Sequence, residues 1–141
     1  MPRLLRSIDL FCGAGGLSKG LELAGWSCCA AVEIDFDSAE TFRRNFPGAE
    51  VVLRDSREVD YTGWAGQVEL VVGGPPCQPF SVAGLLRGKH DDRDMIPEFI
   101  RAVRLVQPRG FLMENVPGLT APRHRTYLLS ALEALRALGY T

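Results

Sequence analysis

The feature that most constrains the fold is a regular alternation of short apolar runs with stretches of helical periodicity. The apolar runs lie at residues 7–11, 28–34, 50–53, 68–73 and 110–114, and each predicts a strand. Helical stretches lie between or after them, at residues 17–24, 37–45, from Pro97 to before Pro108, and 125–138, and Asp37 is the predicted cap of the second. Because the strands are apolar along most of their length, the pattern predicts an α/β fold, a Rossmann-like parallel sheet with helices on both faces.

Composition restricts the chain to an ordinary globular class. Its 141 residues predict one domain, residues 1–141, and 46% of them are hydrophobic. A net charge of -1 argues against strong non-specific attraction to a polyanion by this segment alone. The four cysteines form no disulfide framework and the two histidines have no metal-ligand spacing, so we expect a reducing, cytoplasmic location (nuclear in a eukaryote) and no metal site.

Chemically suggestive residues follow the predicted strands at their carboxyl ends. Gly13 and Gly15 follow the first strand, Glu33 ends the second, and Asp55 follows the third. Cys77 follows the fourth strand and Glu114 ends the fifth. In an open parallel sheet, ligands bind outside the carboxyl ends of the strands. The sequence therefore predicts that these side chains meet at one edge of the sheet.

The first of these turns predicts a nucleotide-type ligand. Gly13 and Gly15 separate a strand from a helix, but Ser18 stands where a dinucleotide fingerprint needs its third glycine. Glu33 lies about 20 residues beyond the turn, where a carboxylate can accept hydrogen bonds from ribose hydroxyls. Asp55 could accept from an adenine amino group, or it could cap the following segment. A dinucleotide and S-adenosylmethionine both remain possible at this point, as does a plain tight turn.

Cys77 has the surroundings of a nucleophile. It lies in the run Gly-Gly-Pro-Pro-Cys-Gln-Pro at residues 73–79, where three prolines restrict the backbone just beyond a strand. A thiol held in such a loop is more typical of covalent catalysis than of packing. Cys12, Cys28 and Cys29 lie in or beside strands, and we expect them to be small buried side chains.

Taken in order, these motifs resemble the DNA cytosine-5 methyltransferases. The run Asp-Leu-Phe-Cys-Gly-Ala-Gly-Gly-Leu at residues 9–17 is similar to the first cofactor motif of that family, and Glu-Ile-Asp at 33–35 to its acidic ribose motif. Gly-Pro-Pro-Cys-Gln at 74–78 resembles its catalytic loop, and Glu-Asn-Val at 114–116 a further catalytic motif. The cofactor-binding residues that the resemblance implies are Phe11, Gly13, Gly15, Gly16, Leu17, Glu33, Ile34, Asp55 and Pro75.

The resemblance also implies a reaction. Cys77 would add to a cytosine flipped out of DNA, Glu114 would protonate the ring, and the methyl group of S-adenosylmethionine would pass to carbon 5, leaving S-adenosylhomocysteine. The loop after Cys77, which contains Gly84, Arg87 and Lys89, would close over DNA, although a flexible polar surface loop is the alternative.

The family's later elements are absent from this sequence, namely a Gln-x-Arg-x-Arg motif and a target-recognition domain. The chain would therefore be the N-terminal part of a catalytic domain with about five strands, either truncated or completed by a second chain, and we expect it to methylate DNA poorly by itself. A tRNA cytosine-5 methyltransferase and a non-catalytic S-adenosylmethionine-binding subunit are the alternatives.

Overall fold

A computed structural model describes residues 4–76 and 93–141. The strands are β1 (Leu5–Leu10), β2 (Trp26–Glu33), β3 (Glu50–Leu53), β4 (Leu70–Gly73) and β5 (Gly110–Met113). The helices are α1 (Gly16–Leu23), α2 (Phe36–Asn45), α3 (Ile96–Val106) and α4 (Arg125–Ala137). Single 3-10 turns lie at Ser56–Glu58, Thr62–Trp64, Pro117–Thr120 and Pro122–His124. None of the helices in these two ranges is long and apolar enough to cross a bilayer.

All five strands form one parallel sheet in the order β3-β2-β1-β4-β5. The chain therefore builds outward from β1 to β3 on one side and then returns to the other side of β1 for β4 and β5. This reversal puts the switch point between β1 and β4, where a parallel sheet offers a crevice at its carboxyl edge. The predicted Rossmann-like α/β class is confirmed.

Helices cover both faces of the sheet. On one face, Ile8 and Leu10 of β1 pack with Phe99 and Val103 of α3 and with Leu135 of α4. On the other face, Ala31 of β2 packs with Phe42 and Phe46 of the α2 region. Neighbouring residues of β2 contribute to opposite clusters because successive side chains of a strand point to opposite faces.

Local signals explain most element boundaries, with one correction at α2. The sequence predicted Asp37 as the cap of that helix, whereas the residue that caps it is Asp35, whose Oδ2 accepts a hydrogen bond from the Ser38 amide at 2.8 Å. Asp37 lies inside the first turn, where its charge still favours the helix. Pro97 lies in the first turn of α3 as predicted, because that position needs no amide donor.

Gly15 is required by both backbone conformation and space. It is the N-cap of α1 and has a φ of 99°, in the left-handed region that residues other than glycine rarely adopt. A Cβ at this position would lie 2.3 Å from Cε2 of Phe46 and about 3.0 Å from the ring of Phe42. The close approach lets the first turn of α1 pack directly on the aromatic pair of α2.

We predict that Gly15→Ala lowers the free energy of unfolding by at least about 2 kcal/mol, because it combines backbone strain with a clash. Gly20→Ala is the matched control: it lies within α1, and a Cβ there meets nothing within 4 Å. The control should be neutral or stabilising by about 0.5–1 kcal/mol. Urea unfolding of the two variants makes the comparison, and equal stabilities would contradict this account of the turn.

Candidate active site

A cavity of about 340 Å³ lies at the carboxyl edge of the sheet. Its walls come from the ends of β1, β2, β3 and β4 and from the segment that leads into α3. The lining residues are Phe11, Val32, Glu33, Ile34, Arg54, Asp55, Ser56, Arg57, Gly74, Pro76, Arg93 and Met95. This volume falls within the range of small-molecule sites, and the walls combine apolar side chains with a few polar ones, as ligand sites commonly do.

Glu33 joins the first turn to the end of β2. Its Oε2 accepts a hydrogen bond from the amide of Gly13 at 2.8 Å. Its Oε1 accepts from the amides of Ile34 and Asp35, both at 2.9 Å. A carboxylate offers about four acceptor positions, so Oε2 retains capacity for a ligand hydroxyl. The side chain is half-buried at the cavity wall, which suits both roles.

The glycine turn itself lies beside the cavity rather than around it. Phe11 lines the cavity and holds a positive φ of 56°, which is unusual for an aromatic residue. Gly13, also at positive φ, has open space where a Cβ would be. Gly15, Gly16 and Leu17 are not part of the cavity wall; Gly15 is buried against α2, and Gly16 begins α1.

Asp55 caps the following segment, one of the two roles that the sequence left open, and it also lines the cavity. It lines the cavity, and its Oδ1 accepts from the Arg57 amide at 2.9 Å, which caps the 3-10 turn Ser56–Glu58. The Arg57 guanidinium also donates to the carboxylate, with Nη2 2.7 Å from Oδ2. These hydrogen bonds from Arg57 lower the pKa of Asp55, so it is a carboxylate acceptor at neutral pH.

Ile34 lines the cavity and is exposed to solvent over 67% of its surface, which is unusual for a large apolar residue. Phe11 and Met95 are further apolar members of the wall. An exposed apolar side chain beside two carboxylates is the arrangement expected for a flat ring with polar edges.

The ends of β4 and β5 bring Glu114 toward the same edge. The Glu114 amide donates to the Gly73 carbonyl at 3.0 Å, and its Oε2 would lie 3.1 Å from a Cβ built on Gly74. Asn115 Nδ2 donates to the Pro75 carbonyl at 3.4 Å, which connects the two strand ends. Pro75 is buried and lies outside the cavity wall, between the lining residues Gly74 and Pro76.

The predicted nucleophile lies outside the described residues. Cys77 and the basic loop residues Arg87 and Lys89 fall between positions 76 and 93, and their roles stay predictions. The described residues on either side of this segment are Pro76 and Arg93, and both line the cavity.

The other cysteines have the character of packing residues. Cys12 is buried, whereas Cys28 and Cys29 are half-buried. Burial raises the pKa of all three thiols, that of Cys28 to about 11, so none is a ready thiolate. Among residues 4–76 and 93–141, no cluster of three or more His, Cys, Asp or Glu side chains could hold a metal ion.

Sequence reasoning did not single out two features near the site. Arg57, two positions after Asp55, forms the ion pair described above, and short-range spacing of opposite charges was the available signal. Asp9 is fully buried in β1, where its Oδ2 accepts from the Ser18 hydroxyl at 2.6 Å and its Oδ1 has no hydrogen-bond partner. A charged residue inside an apolar strand was the signal for Asp9.

Comparison with protein families gives a match along nearly the whole chain. The family model described as C-5 cytosine-specific DNA methylase matches residues 5–141. The Type II methyltransferase M.NgoMIV of Neisseria gonorrhoeae is 40% identical over 134 residues, which are 95% of this chain and 43% of that protein. The Type II methyltransferase M.HgiCII of Herpetosiphon aurantiacus is 40% identical over 136 residues, which are 96% of this chain and 31% of that protein.

The fold of this chain is also similar to those of solved methyltransferase structures. A putative DNA modification methyltransferase encoded within a prophage of E. coli superposes with a TM-score of 0.77 at 34% identity, covering 94% of this chain and 38% of that one. A Spodoptera frugiperda DNMT2 mutant gives a TM-score of 0.67 at 23% identity, covering 92% of this chain and 41% of that one, and supports the fold alone. The chain thus spans less than half the length of these relatives.

Asp9 yields a prediction about pH. Burial raises its pKa from 3.8 to about 6, while the Ser18 hydrogen bonds and the nearby charge of Glu33 act as smaller influences. The folded state therefore holds this proton more tightly than the unfolded state, and the associated stability is lost as pH rises from about 4 through about 6. At pH 7 the ionised Asp9 costs about 3 kcal/mol relative to a neutral group.

We expect the stability advantage of Asp9→Asn over the unmodified chain to grow by about 2 kcal/mol between pH 4.5 and 7.5, because the asparagine stays neutral while the buried Asp9 ionises. Urea unfolding at the two pH values measures this difference. Asp60→Asn is the control, because Asp60 is exposed and hydrogen bonds from Thr62 lower its pKa, which reverses the sign of any pH trend. A difference between Asp9→Asn and the unmodified chain that does not change with pH would contradict the prediction.

Proposed function

Because the chain belongs to the family of C-5 cytosine-specific DNA methylases, we propose that it contributes the cofactor site and the reacting groups for methyl transfer from S-adenosylmethionine to carbon 5 of cytosine in DNA. The observation that carries this proposal is a cavity walled by Glu33, Ile34 and Asp55, with Glu114 on a neighbouring strand end. In this proposal residues 1–141 are the N-terminal part of a catalytic domain, and target recognition comes from elsewhere, in a longer chain or a second one.

The residues of the cavity fit the nucleoside part of S-adenosylmethionine. Glu33 has a free acceptor position on Oε2, which suits the ribose hydroxyls. Asp55 is an acceptor for the adenine amino group, and Ile34 offers an apolar surface for the ring. The ion pair of Asp55 with Arg57 is no obstacle, since the Arg57 side chain is 54% exposed and such a pair contributes at most about 1 kcal/mol.

The remaining residues of the motifs have proposed roles around this nucleoside. Phe11, which lines the same cavity as Ile34, would provide further apolar contact for the adenine. Gly13, Gly15, Gly16 and Leu17 would bring the backbone of the first turn close to the methionine part, since Gly13 has no side chain to exclude it. Pro75 would fix the direction in which the chain leaves β4, because proline restricts its own φ and the conformation of its neighbour.

The chemistry rests on Cys77 and Glu114. The Cys77 thiolate adds to carbon 6 of a cytosine flipped out of the duplex, forming a carbon–sulfur bond and moving an electron pair toward carbon 5. Glu114 donates a proton to ring nitrogen 3, which neutralises the charge that develops there. S-adenosylmethionine, which Glu33 and Asp55 would hold, would supply an electrophilic methyl group for carbon 5, with S-adenosylhomocysteine as the product. The proton on ring nitrogen 3 then returns to Glu114. Loss of the carbon 5 proton to water restores the ring double bond, breaks the carbon–sulfur bond and releases the Cys77 thiolate.

The contacts of Glu114 support this role. Its backbone is fixed by the hydrogen bond to the Gly73 carbonyl, and Gly74 leaves room for its carboxylate beside the β4 end. Asn115 joins the same two strand ends through Pro75, the second residue before Cys77. The acid and the thiol would thus follow the ends of two neighbouring parallel strands, β5 and β4. This arrangement would let both groups act on one ring.

The test is calorimetric titration of the 141-residue chain with S-adenosylhomocysteine. We expect binding by the unmodified chain and roughly tenfold weaker binding by Asp55→Asn, which loses a charged acceptor for the amino group. Asp60→Asn is a matched control, since Asp60 accepts from the Thr62 amide and hydroxyl as Asp55 does from Arg57, but it lies outside the cavity wall. It should bind as the unmodified chain does.

Two results would count against the proposed function. The first is binding of NADH at the same site with no binding of S-adenosylhomocysteine, which would favour the dinucleotide interpretation. The second is an equal loss of affinity in Asp55→Asn and Asp60→Asn, which would mean that capping of the 3-10 turns, and not contact with the ligand, accounts for the effect.

A further inference from the structure

We propose that Arg101 is a positioning residue for recognition of the cofactor's base: it holds the turn that carries Asp55. The proposal rests on the proposed function, because it concerns how the same cavity distinguishes an adenine ring. Arg101 lies on α3 and is not part of the cavity wall. Its effect on the ligand would therefore pass through the backbone that follows Asp55.

The Arg101 guanidinium makes a set of contacts that connects α3 to the turn after β3. Nη2 donates to the carbonyl of Ser56 at 2.8 Å and to that of Val59 at 3.1 Å. Nε donates to Glu98 Oε2 at 2.7 Å, one turn earlier on α3. Its central carbon lies 5.1 Å from the centre of the Tyr61 ring, a cation–π distance. These contacts use the planar fork that distinguishes arginine from lysine.

The α3 end of this connection is rigid. Phe99, Ala102, Val103 and Val106 are all fully buried in the main core, so α3 is fixed against the sheet. The Arg101–Glu98 pair is mostly shielded from solvent, with side-chain exposures of 26% and 21%. An arginine anchored in this way can hold a loop in one place, because its own conformation is already restricted.

In the part of the chain that the structure describes, the sheet itself contributes little to holding the turn that carries Asp55. Strand β3 is four residues long and, among the described strands, pairs with β2 alone, at the edge of the sheet. Beyond it, the Arg54 amide donates to the Glu33 carbonyl at 2.9 Å, and within residues 4–76 and 93–141 no further backbone hydrogen bond from the sheet reaches Asp55 or Ser56. The backbone hydrogen bonds of these two residues lie inside the turn, where their carbonyls accept from the Glu58 and Val59 amides. Because the Ser56 carbonyl belongs to the residue directly after Asp55, a hydrogen bond to it limits the movement of Asp55.

A buried polar pair reinforces the same turn. The hydroxyls of Ser56 and Tyr61 lie 2.6 Å apart, with Ser56 4% exposed and Tyr61 fully buried. Arg101 lies over the Tyr61 ring and donates to the Ser56 carbonyl, so it contacts both ends of this pair. Arg101 therefore holds the turn through the Ser56 carbonyl, and Tyr61 holds it through the Ser56 hydroxyl. Asp55, the residue before Ser56, forms part of the cavity wall.

The consequence for the ligand is selectivity at the base. A correctly placed carboxylate accepts from the amino group of adenine but repels the carbonyl oxygen of hypoxanthine at the same ring position. A small displacement of Asp55 weakens its attraction to the adenine amino group and also weakens its repulsion of the hypoxanthine oxygen. The ratio of the affinities for the two bases therefore reports the placement of Asp55. General loss of stability lowers both affinities together and leaves that ratio unchanged.

The experiment is calorimetric titration of the 141-residue chain with S-adenosylhomocysteine and with S-inosylhomocysteine. For the unmodified chain we expect the adenosyl compound to bind at least about tenfold more tightly. Arg101→Met should reduce that ratio to below about threefold, and Arg101→Lys to an intermediate value, since lysine keeps the charge but not the fork. Arg104→Met is the control: it lies on the exposed side of the same helix and should keep the unmodified ratio.

The outcomes separate this inference from the proposed function. If the unmodified chain binds neither compound, the proposed function fails and this inference fails with it. If the unmodified chain shows the preference and Arg101→Met keeps it within twofold, only the positioning role is overturned. If Arg101→Met does not fold, as judged by circular dichroism, the comparison uses Arg101→Lys. An affinity ratio in Arg101→Lys equal to that of the unmodified chain would then overturn the inference.

Discussion

The hydrogen bond from the Gly13 amide to the Glu33 carboxylate is the interaction on which the site depends most. It joins the turn after β1 to the end of β2, two neighbouring parallel strands. With the Ile34 and Asp35 amides on the other oxygen, Glu33 closes one wall of the cavity with charge-assisted bonds. Without this carboxylate, three amides at the carboxyl edge would need other partners, and the wall would lose its shape.

Sheet topology explains why the site has two halves. The strands β1, β2 and β3 supply Phe11, Glu33 and Asp55, which surround the proposed nucleoside position. The strands β4 and β5 lie on the other side of β1 and end near Gly74 and Glu114. In the proposed function, the switch point between β1 and β4 would therefore bring the methyl donor and the reacting groups together.

Much of this arrangement could be predicted from the sequence because it follows from local patterns. Apolar runs and helix signals gave the five strands and four helices, and the parallel sheet then required the carboxyl ends to share one edge. The sequence could not give Asp35 as the cap of α2, since Asp35 and Asp37 are both suitable residue types and only the backbone decides between them. The buried pairing of Asp9 with Ser18 and the contacts of Arg101 depend on tertiary packing, which periodicity does not encode.

The most direct test of the account is amide nuclear magnetic resonance of the ¹⁵N-labelled chain titrated with S-adenosylhomocysteine. The account predicts that the amide signals of Gly13, Ile34 and Asp35 shift together, because all three amides donate to the carboxylate that would accept the ribose hydroxyls. Signals of Gln107 and Gly139, at the opposite edge of the sheet, should not move. Saturation that leaves Gly13 and Ile34 unchanged, or that shifts mainly Gln107 and Gly139, would contradict it.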